Sequence, residues 1–183
     1  AVSLTVSSMQ GIQMLHAIGP ARAKLRIHLK IDTGMHRQGF LPEELKDALT
    51  HLSKMPHIEI EGVYTHFAAA KDPKNPKGTL AQIERFEEAL ALLGARNLRP
   101  IRHAGATGGT LLFPQAHYDM VRIGIGMYGL WPAAEVRAAC SEKITLHPVL
   151  SWRTVGGEVK QIQNGESVGY DFTEHLARDS LAA

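Results

Sequence analysis

Two segments of the sequence combine an apolar, strand-like run with glycines and an arginine. Residues 30–39 read K-I-D-T-G-M-H-R-Q-G, and residues 119–129 read D-M-V-R-I-G-I-G-M-Y-G. Where a strand runs into glycines, backbone N–H groups are exposed, and the arginine adds a fixed cation that attracts phosphate. We therefore predict a binding site for a phosphorylated ligand at the ends of these two strands.

The overall composition favours a small molecule as the partner. The 183 residues are 44% hydrophobic and 21% charged, which is typical of a globular protein with a sizeable core. Twenty Lys and Arg residues nearly balance 18 Asp and Glu residues, and they form no basic run. The charge pattern therefore predicts no binding to nucleic acid or to an anionic membrane.

Cysteine usage and hydropathy indicate a cytoplasmic protein. Cys140 is the only cysteine, so no internal disulfide can form. The sequence does not open with a charged and then apolar leader, and no apolar run approaches the roughly 18 residues of a membrane span. The ten histidines form no H-x-x-x-H pair, and Cys140 has no histidine or cysteine at a ligand spacing, so we predict no metal site.

Strand-like and helix-like segments alternate along most of the chain. We predict strands at residues 4–6, 25–31, 60–67, 101–104 and 120–123, joined mostly by helices. This order is typical of a parallel sheet covered by helices. A closed eight-stranded barrel takes roughly 250 residues. The sequence therefore predicts a partial (β/α)8 TIM-type barrel, with about five strands present and about three absent.

Capping residues and apolar spacing predict where the helices lie. A first helix follows Ser8 and is stopped by Gly19 and Pro20. Thr79 and Gln82 form a candidate capping box that opens a later helix. Between these two, another helix is predicted by a stripe of apolar residues spaced three or four apart, Leu45, Ala48, Leu49 and Leu52.

The character of the sequence changes near residue 146, where the helical period disappears. Asn164-Gly165 stands between two alternating stretches and predicts a β-hairpin. We therefore predict that residues 1–143 form the C-terminal part of the barrel and residues 144–183 the start of a β domain. A partial barrel leaves two strand edges unpaired, so we expect the isolated chain to aggregate or exchange strands.

Several motifs together resemble the bacterial alanine racemase family. They follow one another along nearly the whole chain as K-I-D-T-G-M-H-R (30–37), G-V-Y-T-H-F-A (62–68), R-H-A-G-A-T (102–107), D-M-V-R-I-G-I-G-M-Y-G-L (119–130) and G-E-S-V-G-Y (165–170). The resemblance implies an enzyme of fold type III that uses pyridoxal 5'-phosphate (PLP). It further implies a homodimer with shared active sites, which converts L-alanine to D-alanine for cell-wall peptidoglycan.

The resemblance assigns Arg122, Thr107, Gly124 and Ile125 to the cofactor, and His66 to the support of Arg122. Arg122 matches the arginine that faces the pyridine nitrogen of PLP, where a guanidinium cannot give up a proton and keeps the ring a weak electron sink. His66 matches the histidine that holds this arginine. The hydroxyl of Thr107 and the amides of Gly124 and Ile125 match the phosphate cradle.

Two further residues match positions that act on the substrate, and a third, Lys30, belongs to the cofactor-binding residues. Arg37 matches an arginine near the PLP phenolic oxygen and the substrate carboxylate, and Lys30 matches a lysine that is carbamylated in some members and orients that arginine. Tyr170 matches the tyrosine that works from the neighbouring subunit as acid and base. A free phenol titrates near roughly pH 10, so its pKa must be lowered by nearby cations before it can act as a base.

The sequence departs from the family pattern at a few positions. Ala106 stands where an asparagine is usual and Thr107 where a serine is usual, while Gly169 and Asp171 flank Tyr170 in place of the usual S-Y-G. Ala106 removes a polar group near the phosphate. The family's Schiff-base lysine, in a V-V-K-A-x-A-Y-G type segment, has no counterpart in the sequence. We therefore expect the isolated chain to be inactive.

Other interpretations of these residues stay open at the level of sequence. The enzyme could racemise serine or another small amino acid, or the chain could be a non-catalytic PLP-binding or assembly fragment. His103 is expected to be an ordinary core or surface histidine. Lys30 and Asp32 could form a solvated strand face or an ion pair, and Tyr170 could be a half-buried sheet residue.

Overall fold

The computed structural model describes residues 2–19 and 23–182 of the chain. Pro20, which we predicted to stop the first helix, lies outside the described residues. The chain divides into two compact units, Ala1–Val149 and Leu150–Ala183, later than the boundary predicted between residues 143 and 144. Within the described residues, no helix is both long and apolar enough to span a membrane.

The first unit alternates strands and helices as the sequence predicts. Its strands are β1 (Leu4–Val6), β2 (Leu25–Lys30), β3 (Ile58–Tyr64), β4 (Ile101–Ala106) and β5 (Met120–Arg122). Its helices are α1 (Met9–Ile18), α2 (Pro42–Leu52), α3 (Lys77–Gly94), α4 (Thr107–Leu112) and α5 (Ala134–Cys140), with 3-10 turns at Pro114–Ala116 and Ile125–Tyr128. Neither α4 nor α5 was predicted, because both helices are too short to show a helical period in the sequence.

The five strands form one parallel sheet in the order β1-β2-β3-β4-β5. This arrangement confirms the predicted parallel α/β class. The edge strands β1 and β5 each pair with one neighbour within the described sheet, and self-association through these edges stays a prediction. All strands run in one direction, so their C-terminal ends meet at a single edge of the sheet, where the candidate site lies.

The two faces of the sheet differ in chemistry. The apolar face packs with the helices in one core and is built from residues that are at most 3% exposed, namely Val6, Ile27, Leu29, Val63 and Ala104. The polar face carries the alternate residues of the same strands, among them Thr5, His28, Lys30, Tyr64 and His103. Strand alternation by a period of two separates packing from chemistry here.

The helices cover the apolar face with the residues that their spacing predicts. The predicted stripe of α2, Leu45, Ala48, Leu49 and Leu52, is buried in full. In α1 the Ser8 side chain caps the helix by accepting from the Gly11 amide at 3.2 Å. The predicted capping box is wrong: α3 begins at Lys77, so Thr79 and Gln82 lie within the helix, and both are buried.

The second unit consists of short antiparallel strands in its described part. β6 (Lys160–Ile162) pairs with β9 (Ser180–Ala182), and β7 (Ser167–Val168) pairs with β8 (Glu174–His175). The Asn164-Gly165 turn is present, with Gly165 at φ 87°. The predicted hairpin is nevertheless wrong, because the strands on the two sides of this turn pair with later strands rather than with each other.

Candidate active site

Arg122, at the end of β5, is the centre of the site. Its Nη1 donates to His103 Nδ1 at 2.9 Å, and its Nη2 donates to the Thr65 and Ala104 carbonyls at 2.8 and 2.9 Å and to His66 Nδ1 at 3.2 Å. Burial lowers the pKa of Arg122, but a guanidinium remains protonated at neutral pH. These four contacts fix the plane of the cation.

These contacts leave two N–H donors of Arg122 available, the Nε–H and the second Nη1–H. Among residues 2–19 and 23–182, the Nε–H of Arg122 has no hydrogen-bond acceptor, and no carboxylate contacts the guanidinium. A guanidinium only donates, so Nδ1 of His66 and Nδ1 of His103 must both be unprotonated. The site therefore presents a cation whose hydrogen-bond partners are neutral and whose Nε–H and second Nη1–H can bind an acceptor.

His66 follows β3 and supports Arg122 from one side. Burial, together with the charges of Arg122 and Arg37, lowers the pKa of His66 below its ordinary value. The imidazole is therefore neutral at pH 7, which is the form that can accept from Nη2 of Arg122. His66 thus contacts Arg122, as the motif resemblance implies.

The residues that the motif resemblance assigns to a phosphate cradle also come together at the strand ends. Thr107 Oγ1 accepts from the Gly126 amide at 3.1 Å, which leaves the Thr107 O–H free to donate to a ligand. A Cβ built on Gly124 would meet open space. In the described part of the chain the amides of Gly124 and Ile125 have no acceptor, as is usual where a helical turn begins.

Pairing of β4 with β5 brings the two groups of residues into one site. Ala106 of β4 lies opposite Arg122 of β5, Thr107 follows directly, and Gly124 lies two residues beyond Arg122. Ala106 is also the N-cap of α4 and makes no side-chain capping bond. The residues that the resemblance assigns to the two ends of the cofactor therefore lie at the ends of two paired strands.

Lys30 and Asp32 form neither the solvated strand face nor the ion pair that the sequence allowed. Lys30 is 6% exposed and Asp32 is 7% exposed, so they do not form a solvated face. They also bind separate partners, because Lys30 Nζ donates to Gln38 Oε1 at 3.3 Å. Asp32 Oδ1 instead accepts from three amides of the following loop, those of Gly34, Met35 and His36.

The pKa values of Lys30 and Asp32 are both lowered, and the loop that follows Asp32 contributes to both shifts. Burial disfavours the charge on Asp32, but the three amide bonds outweigh it and lower the pKa of Asp32. Burial, and then the charge of Arg37, lower the pKa of Lys30. Arg37 itself lies on the exposed part of this loop and has no hydrogen-bond partner among the described residues. Asp32 therefore orders the loop that carries Arg37.

His103 and Tyr64 contribute to the site in a way that their sequence pattern did not predict. His103 is 3% exposed, and burial together with the charge of Arg122 lowers its pKa to about 4. The Tyr64 ring stacks on the His103 ring at 4.8 Å and lies under both Arg122 and Lys30, at 5.0 and 5.9 Å from its centroid. The period-two pattern of polar residues on β2 was the available signal that one sheet face carries the chemistry.

Tyr170 belongs to the second unit. Its side chain is 96% exposed, on a 3-10 turn at Tyr170–Phe172. Gly169 and Asp171, which flank it, have φ values of 85° and 57°. The alternative of a half-buried sheet tyrosine is therefore wrong.

Among the described residues, no group of three His, Cys, Asp or Glu side chains is placed to hold a metal ion.

The fold and the site together define a parallel α/β protein with a half-buried arginine, a threonine hydroxyl and exposed backbone amides at its strand ends. The alanine racemase N-terminal domain matches residues 1–132. The chain therefore belongs to the alanine racemase family, as its motifs predicted. The N-terminal domain of this family is a TIM-type α/β barrel, and the five parallel strands agree with it.

Individual relatives carry the same name. An alanine racemase of Symbiobacterium thermophilum is 47% identical over 154 residues, covering 84% of this chain and 40% of that protein. One of Leptospira interrogans is 41% identical over 155 residues, covering 81% of this chain and 39% of that protein.

Solved structures agree with these relatives. The Bacillus anthracis alanine racemase with bound L-Ala-P has a TM-score of 0.79 and 31% identity, covering 98% of this chain and 46% of its own. The Streptomyces coelicolor alanine racemase has a TM-score of 0.78 and 32% identity, covering 98% and 48%. The chain thus spans less than half the length of the relatives it matches.

Proposed function

We propose that this chain is part of a PLP-dependent enzyme that interconverts L-alanine and D-alanine. Relatives named alanine racemase, up to 47% identical, support the reaction. The observation that carries the proposal is the position of Arg122: two neutral histidines hold it, and it pairs in the sheet with Ala106, the residue before Thr107. An aromatic nitrogen and a phosphate are the two acceptors that the donors of Arg122 and Thr107 suit.

The residues present fit PLP at both of its ends. Thr107 and the amides of Gly124 and Ile125 would hold the phosphate, and Arg122 would face the ring nitrogen. PLP, when bound to an amino acid, withdraws electrons from the α-carbon and so makes the α-proton acidic. Arg122 cannot protonate the ring nitrogen, which limits this withdrawal and favours return of the proton over side reactions.

Three side chains would orient the substrate and its partners. Arg37 would pair with the substrate carboxylate, because a guanidinium fixes a carboxylate through two parallel bonds. Lys30 has a lowered pKa because of burial and the charge of Arg37, so more of its amine is neutral, the form that reacts with carbon dioxide. A carbamylated Lys30 would attract Arg37. His66 would keep Arg122 in place.

Racemisation requires a proton carrier on each face of the α-carbon. We assign Tyr170 as the acid and base for one face, acting in the site of the partner subunit of a homodimer. Its exposure of 96% leaves the phenol available for such a contact. The lysine that would serve the other face in this family has no counterpart in the sequence, so we infer that the 183-residue polypeptide alone is inactive.

We further propose the place of the chain in the whole protein. The five strands would be the last five of an eight-stranded barrel, at residues 1–143, and residues 144–183 would begin the β domain. The enzyme would act in the cytoplasm and supply D-alanine for peptidoglycan. The antiparallel pairs after residue 150 support a separate β unit.

A direct assay tests the reaction. The complete gene product, purified with added PLP, is incubated with L-alanine or L-serine, and the D-isomer is detected by D-amino-acid oxidase. We expect D-alanine to form, with kcat/KM for alanine well above that for serine. Faster turnover of serine would change the substrate assignment, and formation of neither D-isomer in PLP-loaded protein would contradict racemisation.

A further inference from the structure

A chain of hydrogen bonds crosses the polar face of the sheet and ends at Arg122. Glu61 Oε2 contacts His28 Nε2 at 3.1 Å, His28 Nδ1 contacts His103 Nε2 at 2.8 Å, and His103 Nδ1 contacts Arg122 Nη1 at 2.9 Å. The four residues come from β3, β2, β4 and β5 in turn. Each imidazole thus uses both of its nitrogens within this relay.

The arginine and the carboxylate fix the direction of every bond in the relay. Arg122 only donates, so Nδ1 of His103 accepts and a neutral His103 must carry its proton on Nε2. That proton is donated to His28 Nδ1, so the proton of His28 lies on Nε2 and is donated to Glu61. The relay therefore has one proton arrangement, running from cation to carboxylate.

The relay connects the negative charge of Glu61 with the positive charge of Arg122. Arg122 is only partly exposed, and within the described residues it forms no ion pair, although a half-buried charge usually has a partner. Glu61 is itself held, since Ser3 donates to it and Arg26 pairs with it. The hydrogen bonds from Ser3 and His28 lower the pKa of Glu61 and keep it ionised.

The backbone is shaped to allow this relay. The register of β2 against β3 shifts between Ile27 and His28, so that Ile27 lies opposite Ile60 and His28 opposite Gly62. Glu61 is the extra residue of this bulge, which turns it toward His28. A Cβ built on Gly62 would overlap the His28 ring. A β-bulge and a glycine therefore make the space in which the relay lies.

We propose that Glu61 is a positioning residue for Arg122, acting through His28 and His103. Its carboxylate holds His28 with the proton on Nε2, which holds His103 as an acceptor for the guanidinium. The effect on catalysis rests on the proposed racemase function. The effect on the histidine protons does not, because it follows from the hydrogen bonds of the chain itself.

The test compares Glu61→Gln with Glu59→Gln in the complete gene product. Glu59 lies two residues earlier on the same strand, is exposed, and makes no hydrogen bond among the described residues, so it is a matched control. In Glu61→Gln, the single amide oxygen accepts from Arg26, and the amide nitrogen donates to His28 Nε2 and moves the His28 proton to Nδ1. The His28 Nδ1–H then faces the His103 Nε2–H, so the hydrogen bond between the two rings is lost. Glu61→Asp keeps the carboxylate and serves as the conservative variant.

Two measurements decide the proposal. By ¹⁵N NMR of histidine-labelled protein, we expect the His28 proton on Nε2 in wild type, Glu59→Gln and Glu61→Asp, and on Nδ1 in Glu61→Gln. We expect kcat for alanine to fall about tenfold in Glu61→Gln, the scale of removing an outer-shell partner, with KM changed less than about twofold. An unchanged ¹⁵N pattern in Glu61→Gln, or an unchanged kcat, would overturn the proposal. If wild type does not racemise alanine, the proposed function fails, and the ¹⁵N pattern alone decides the relay.

Discussion

The two faces of the five-stranded sheet have the same backbone and opposite tasks. On the apolar face, Ile27 and Leu29 are fully buried in the core that also contains residues of α1, α2 and α3. On the polar face, His28 and Lys30 of the same strand reach toward His103 and Gln38. Each strand therefore contributes to folding with one set of residues and to the candidate site with the next.

This contrast predicts that stability and activity can be changed separately. A truncated apolar residue leaves a cavity, while its polar neighbour in the strand stays in place. A substituted polar residue breaks a contact to Arg122 or to a ligand with little loss of apolar packing. The four predictions that follow test this separation, beginning with the largest expected change in free energy.

Leu29→Ala tests the apolar face. Leu29 is fully buried, so we expect the free energy of unfolding to fall by about 3 kcal/mol, within the usual range for such a truncation. Urea unfolding followed by circular dichroism measures it. Leu92→Ala, at a residue 39% exposed on α3, is the control and should cost less than about 1 kcal/mol. Equal losses in the two variants would contradict the assignment of the core.

His103→Gln tests how the polar face responds to pH. The pKa of His103 is lowered from 6.5 to about 4. Above pH 6.5 the residue is neutral in both folded and unfolded protein, whereas between pH 6.5 and 4 only the unfolded chain takes up the proton. Acidification through this window should therefore cost wild type stability, by up to roughly 3 kcal/mol from this residue.

The measurement is urea unfolding between pH 7 and 4. His103→Gln should show a smaller loss of stability on acidification than wild type, because the glutamine does not titrate. His16→Gln, at an exposed histidine of α1, should follow the wild-type pH dependence. A wild-type slope in His103→Gln would show that His103 is not held neutral.

Arg122→Lys tests the centre of the site. An ammonium group cannot make the four contacts that the guanidinium makes to two histidines and two carbonyls. We expect kcat for alanine to fall about 100-fold, the scale for loss of a preorganised donor, with the fold retained. Arg99→Lys, at an exposed residue whose one side-chain hydrogen bond among the described residues goes to the Leu98 carbonyl at 3.4 Å, should keep wild-type kcat. A similar loss of kcat in Arg122→Lys and Arg99→Lys would contradict the central role of Arg122.

Thr107→Val has the smallest expected effect. It removes the O–H that would bind phosphate and leaves the Gly126 amide without its acceptor. We expect the Kd for PLP to rise about tenfold, the scale of one lost hydrogen bond to a charged group. Thr110→Val is the matched control, because the Thr110 hydroxyl is buried without a partner among the described residues. Equal PLP affinity in the two variants would contradict the cradle.

Much of the fold could be predicted from the sequence because its signals are local. The alternation from Leu25 to Ile31 identifies β2, and the stripe of α2 identifies its buried face. The hairpin at Asn164-Gly165 failed for the opposite reason. A turn dipeptide specifies the turn, but strand pairing depends on distant residues, and β6 and β7 pair with later strands.

The residues of the candidate site likewise divide into those that local motifs identify and those that depend on strand pairing. The motif resemblance identified Arg122, His66 and Thr107, which lie within glycine-rich or strand-end segments, and the fold brings them together. The contacts of Glu61 and His103 depend on a register shift between strands and on the pairing of β4 with β5. No local pattern records a bulge, so the relay could be seen only in three dimensions.

The central claim is that Arg122 and the Thr107 cradle bind opposite ends of PLP. A crystal structure of the complete gene product with PLP tests it most directly. The account predicts the ring nitrogen about 3 Å from a guanidinium nitrogen of Arg122 and the phosphate at similar distances from the Thr107 hydroxyl and the Gly124 amide. A phosphate bound away from Thr107, or a ring nitrogen paired with a carboxylate, would contradict it.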